Sequence, residues 1–217
     1  MKRSPLFWPV VAAAAGLLSS GLLSGVLGLS RDLFIAGHVL VVGALVAAWL
    51  RVEGIDFGVQ WRRRWLSGAI GGALVGFALA RSVVGQAGSS RPGGGALAWA
   101  LAWDGVAYGL ADVLLLSVVP VLAVYGTRPA EELQRAGARW RWAFTALAAS
   151  LVVTVAYHAG FAEFRGAAMA GPLIGNGVVT LSYLVTGSPV APALSHVMMH
   201  AAAVLHGMAT TTQLPPH

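Results

Sequence analysis

The chain has no cysteine, which excludes disulfides and any thiolate metal site and leaves its redox compartment open. Charge is almost as scarce. Asp, Glu, Lys and Arg make up 10% of 217 residues, where a soluble domain carries about 25%. No water-soluble domain and no internal repeat can be read along it. The apolar residues, 57% of the chain, fall in long blocks separated by short basic connectors rather than at amphipathic spacing. A net charge of +6 would ordinarily suggest nucleic acid. Here the basic residues stand at the ends of the apolar blocks, where they orient a protein against a membrane, so nucleic-acid binding is excluded as a function class.

These blocks predict an all-α, polytopic membrane helix bundle forming one domain over residues 1–217. A span needs about 20 apolar residues, and about seven segments meet that length. They are 5–29, 32–50, 65–85, 96–125, 141–160, 167–186 and 189–209. The basic start and apolar stretch of residues 1–29 also fit a cleaved signal sequence, although the stretch is long for one and no A-x-A site follows it.

Placing the N-terminus with Lys2 and Arg3 in the cytoplasm also collects Arg51, Arg62, Arg63, Arg64, Arg128, Arg135, Arg139 and Arg141 on the inner side. The outer side keeps Arg31, Arg81, Arg91 and Arg165. That asymmetry obeys the positive-inside rule, puts the C-terminus outside, and suits a bacterial-type plasma membrane. Glycine is abundant and lies largely inside the apolar blocks. Gly68, Gly72 and Gly76 recur every four residues in the third span, as do Gly171 and Gly175 in the sixth. Both patterns predict close helix packing.

The informative residues are ionisable ones inside the spans, because an Asp at the centre of a membrane helix costs about 2.5–3.5 kcal/mol on insertion scales. Asp112 lies near the middle of the fourth span and Asp104 near its outer end. His158 closes the fifth span. The seventh holds His196, His200 and His206, of which the first two stand four residues apart on one helical face. Counted from the inner ends at the helical rise, the depths are roughly 20 Å for Asp112, 18 Å for His200, 12 Å for His196 and 25 Å for His158. Asp112, His200 and His158 are thus expected to meet near the midplane, with His196 a turn shallower. His38 and His206 read as interhelical hydrogen-bond partners. Asp104 and His206 are either a second site or the polarity of span ends.

A carboxylate with two or three imidazoles has three uses in a membrane. It can hold Zn²⁺ with a position open for water. It can act directly as a base on water. It can also relay protons or bind a cation in a transporter. No inverted repeat or pair of Gly/Pro-broken helices favours transport.

The order of motifs resembles the CPBP family of intramembrane proteases, also called Abi or CAAX-protease-like proteins. That family has a Glu-Glu-x-x-x-Arg motif, then Phe-x-x-x-His in the next helix, then His-x-x-x-Asn/Asp in a late helix. Residues 183–205, YLVTGSPVAPALSHVMMHAAAVL, resemble the late segment, with His196 at the His position and His200 at the Asn/Asp position. Thr154 to His158 resembles the second motif but lacks its aromatic residue. Residues 108–118, YGLADVLLLSV, occupy the place of the first motif, where Asp112, Val113 and Ser117 stand for Glu, Glu and Arg. The string Glu131-Glu132-Leu-Gln-Arg135 has its Arg one residue too close and reads as a short interfacial helix in a basic connector.

The resemblance covers most of residues 60–209. It implies a peptide-bond hydrolase, divergent or inactive, acting on membrane-embedded or membrane-proximal peptides. It implies Asp112 as general base, His158 and His196 as groups that orient water or stabilise an oxyanion, and His200 as their support. Asp112, His158 and His196 would be the ligands if a metal such as zinc is used. Asp is one methylene shorter than Glu, a change that reaches about 1.5 Å less and can cost about 100-fold. A non-catalytic member holding a partner membrane protein is the alternative, and a small transporter the second.

Overall fold

In the computed structural model, residues 4–126, 128 and 130–215 are described; Lys2 and Arg3, which enter the cytoplasmic assignment of the N-terminus, lie outside the described residues. Among the described residues there is no strand. The helices are α1 (Phe7–Val26), α2 (Arg31–Glu53), the short α3 (Phe57–Arg62), α4 (Trp65–Val84), α5 (Gly94–Tyr125), the short α6 (Ala130–Gln134), α7 (Ala136–Ala159), α8 (Gly166–Thr186) and α9 (Val190–His206). Six of these are long and apolar enough to cross a membrane. The seventh expected span, α9, has 17 residues, about 25 Å of helix at 1.5 Å per residue. The all-α membrane bundle is therefore what the chain forms, with six full-length spans and one shorter helix.

Turn chemistry sets the boundaries. Gly54 ends α2 in the left-handed conformation (φ 64°), and the Asp56 carboxylate accepts from the Val59 N–H at 3.1 Å to cap α3. Gly187 ends α8 in the same left-handed way (φ 65°), which lets the chain turn directly into α9.

Helix α5 is the axis of the bundle. In its most apolar window 72% of residues are buried, against 22–33% in the other five spans. The outer helices turn large apolar side chains outward instead, among them Leu40, Phe77, Ile174 and Val185. That inversion suits lipid rather than water.

The glycine stripe of α4 does what its spacing predicts, and its partner is α9. A Cβ on Gly72 would stand 2.7 Å from the Ala191 carbonyl oxygen, and one on Gly76 would stand 3.1 Å from Ser195 Cα. Only glycine permits this approach, which seats the two-histidine helix against α4. The pattern in α8 turns out differently: nothing lies within 4 Å of a Cβ placed on Gly171 or Gly175. Those glycines face outward, because α8 meets α7 through Asn176 and Thr180 on another face.

Helix α1 is built into the core. Trp8, Ala12, Ser19 and Ser20 are buried, and a Cβ on Gly16 would touch Tyr157 Cβ at 3.2 Å. Segments of π-helix, at Ser19–Val26 in α1 and at Leu101–Ala107 and Leu114–Val118 in α5, interrupt these two spans. Such wide turns gather at functional sites. The pair in α5 brackets the six-residue α-helical piece Tyr108–Val113 that bears Asp112.

Candidate carboxylate–histidine site

Asp112 is 4% exposed, and imidazoles converge on it from two other helices. His38 of α2 places Nε2 3.4 Å from Oδ1. His196 and His200 of α9 place Nε2 3.6 Å and 3.8 Å from Oδ2. The i, i+4 spacing turns both α9 rings to one side, with centroids 4.9 Å apart. Helix α5 admits them because Gly109, three residues before Asp112, has no side chain. A Cβ there would stand 3.1 Å from His200 Cδ2.

His38 is held firmly. It is fully buried, its Nδ1 lies 3.2 Å from Ser19 Oγ, and Phe34 stacks on it one turn earlier at 5.7 Å and 10°. Tyr108 and Tyr157 flank the ring at 5.8 Å and 5.0 Å and join their hydroxyls at 2.8 Å. Tyr108 also meets the His200 ring edge-on at 4.9 Å.

The site is short of hydrogen bonds. Asp112 Oδ1, His38 Nε2 and His200 Nε2 are buried with no hydrogen-bond partner among the described residues. Buried polar atoms of this kind are costly unless something joins them. The spacing shows what could. Two ligands on a tetrahedral ion with bonds of ~2.1 Å stand ~3.4 Å apart. One donor atom from each of Asp112, His196 and His200 lies within 4.8 Å of the others. These three residues could hold a divalent ion and leave a fourth position open. His38, on the other carboxylate oxygen, would steady Asp112 from the second shell.

Sequence reasoning identified Asp112, His196 and His200, and the structure brings them together. It also identified His158 as catalytic and metal-binding, and the structure places this ring beside the group rather than within it. His158 closes the last turn of α7 with Nδ1 2.9 Å from the Thr154 carbonyl, and its ring packs edge-on against Tyr157 at 5.1 Å and Phe164 at 5.0 Å. It makes no ion pair with Asp112 and stands outside the metal-compatible group, because Tyr157, not His158, takes the inward position on α7.

No protein-family model, curated protein or solved structure matches the chain.

His38 is the residue that was missed. Its role as an interhelical hydrogen-bond partner is real, to Ser19 of α1, and its other ring nitrogen stands 3.4 Å from the candidate carboxylate. A signal was available, since Phe34 to His38 itself has Phe-x-x-x-His spacing, in α2 rather than after the first motif.

The other candidates lie apart from this site. Val113 is buried in an apolar cluster with Val179 and Ala193. Ser117 joins a neutral knot that Asn176 organises. Ser117 Oγ donates to Asn176 Oδ1 at 2.8 Å, and Asn176 Nδ2 donates to Ser150 at 3.0 Å and to Thr154 at 2.6 Å. Glu131 and Glu132 lie in α6, where Glu132 accepts from Arg141 at 3.1 Å and from Trp142 Nε1 at 3.0 Å. His206 Nε2 lies 2.8 Å from the Gln86 carbonyl and ties a loop, while Asp104 is buried without belonging to the group around Asp112.

Proposed function

We propose that this protein is an intramembrane hydrolase of CPBP-like type, cutting peptide bonds within or beside the bilayer at Asp112. The observation that supports this most is the convergence of His38, His196 and His200 on one buried carboxylate. The late-motif resemblance, which involves the same His196 and His200, adds to it.

Each side chain then has a distinct task. His38, fixed by Ser19 and Phe34, orients Asp112 through Oδ1. Asp112 Oδ2 faces His196 and His200, and with them forms the reacting edge of the site. Asp112 or an adjacent imidazole accepts the proton of the attacking water and returns it to the leaving amine. A divalent ion bound there would supply a water of lowered pKa and polarise the scissile carbonyl. The π-helical turns around Asp112 support a functional role.

A second reading, a non-catalytic membrane scaffold, is favoured by the near-complete burial of all four residues. One experiment separates the two. The purified full-length protein in lipid nanodiscs, with Zn²⁺ and without, is incubated with apolar transmembrane peptides, and new peptide termini are sought by mass spectrometry. Cleavage that is lost in Asp112→Asn and in His196→Ala supports hydrolysis. Intact peptides in the presence of a folded wild-type protein would favour the scaffold.

A further inference from the structure

The basic end of the bundle contains a cavity of about 670 Å³ that the hydrolase reading does not use. Arg63, Arg64, Arg128 and Arg139 line it, and among the described residues no acidic side chain does. The nearby Glu132 is committed to Arg141 and Trp142. Among the described residues no carboxylate comes within 4 Å of Arg63, Arg64 or Arg139. Arg63, Arg64 and Arg139 are exposed, so water screens their mutual repulsion, but an anion placed among the four cations would be attracted by all of them.

Local structure aims this charge. Arg64 adopts the left-handed conformation (φ 53°), which a non-glycine residue takes only at a cost. Its guanidinium lies over Gly187, where a Cβ would stand 3.0 Å from Nη1. The Arg128 guanidinium is spread over the Trp142 ring at 3.7 Å, with its Nε buried and lacking a hydrogen-bond partner among the described residues. Tyr183, 4% exposed, also lines the cavity, and its hydroxyl has no hydrogen-bond partner among the described residues.

The cavity is also lined by apolar residues, Val121, Leu122, Leu184 and Val185. Val185 is 81% exposed on the outside of membrane-spanning α8, so this lining is continuous with the lipid-facing surface. One cavity thus joins an arginine cluster to a hydrocarbon surface at the end of a span.

We propose that this cavity binds the phosphate of an anionic phospholipid, with the arginines on the headgroup and an acyl chain along Leu184 and Val185. Guanidinium forks suit phosphate oxygens. The unpartnered Tyr183 hydroxyl supplies a further donor. The proposal is independent of any reaction at Asp112.

The test uses the full-length protein in detergent with dioleoylphosphatidylglycerol or dioleoylphosphatidylcholine, and retained lipid is read by native mass spectrometry. The variant Arg63→Gln/Arg64→Gln/Arg139→Gln removes three of the cavity's arginines. Arg51→Gln/Arg62→Gln/Arg135→Gln removes as much charge from exposed arginines that do not line it. The wild type should retain phosphatidylglycerol at least tenfold over phosphatidylcholine. At about fivefold per arginine, the cavity variant should lose at least tenfold of that preference, and the control variant less than twofold.

If the triple variant does not fold, Arg63→Gln and Arg139→Gln singly should each lose roughly three- to fivefold. A wild type without preference, or a control that loses as much as the cavity variant, overturns the proposal. Complete displacement of the lipid by millimolar inorganic phosphate would assign the site to a soluble phosphate and overturn the lipid.

Discussion

His38 stands against one oxygen of the Asp112 carboxylate, 3.4 Å from Oδ1, while His196 and His200 stand against the other. The two oxygens therefore have different work. One lies against His38 of α2, and the other faces the two imidazoles of α9.

That division predicts graded losses of metal affinity. His196→Ala removes a ligand and should weaken Zn²⁺ binding by more than 100-fold. His38→Ala removes only the outer support and should weaken it by about 10–100-fold. His158→Ala should leave it within twofold. A competition titration with a chromophoric chelator measures all three, and an unchanged affinity in His38→Ala would refute the anchoring role. Protons compete for the same imidazole nitrogens, so binding should weaken as pH falls.

Asp112→Glu restores the residue type of the resembling family and tests whether the shorter acid is a defect. In this structure the imidazoles already stand at 3.4–3.8 Å from the carboxylate oxygens. An added methylene has to push into them or withdraw the carboxylate. Metal affinity should fall at least tenfold, since shifts near 1 Å carry penalties of about 100-fold in such sites. A Glu variant that binds or cleaves better than wild type would show instead that the site is degenerate.

The glycine stripes give a paired stability test. Gly72→Ala drives a methyl against the Ala191 backbone and should cost about 1–3 kcal/mol in a denaturation titration. Gly171→Ala, with open space around it, should stay within ~0.5 kcal/mol. Equal losses would mean that α8 also packs through its glycines, against a partner outside this chain.

Asn176→Ala removes three interhelical hydrogen bonds and leaves Ser117 and Ser150 to Thr180 and Thr154 to the Ser150 carbonyl. Interhelical bonds in membranes average about 0.6 kcal/mol, so a loss near 2 kcal/mol is expected from the same titration. Metal affinity should not move. A metal defect would couple this knot to the site.

The spans and much of the site were legible in the sequence for simple reasons. Twenty apolar residues read the same in any fold, and His196 and His200 share a face whatever α9 packs against. Asp112 was conspicuous because charge is expensive at that depth. The remainder depended on which helices become neighbours. His38 joined the site because α2 lies beside α5, and nothing local to Phe34–His38 encodes that neighbour. His158 left it because one residue of rotation, about 100°, separates it from inward-facing Tyr157. Gly171 and Gly175 failed as packing positions for a related reason, since the small-residue pattern does not say which face will find a partner.

The wide turns on either side of Tyr108–Val113 have a consequence for how this span can change. Each wide turn takes up extra backbone, so a change of register outside it can be absorbed there before it reaches the short piece bearing Asp112. Drift in the lipid-facing pattern at either end need not swing the carboxylate off its imidazoles. A one-residue deletion at Leu101–Ala107 should be absorbed as a tightened turn, whereas the same deletion between Tyr108 and Asp112 would turn the acid by about 100° and empty the site of its charge.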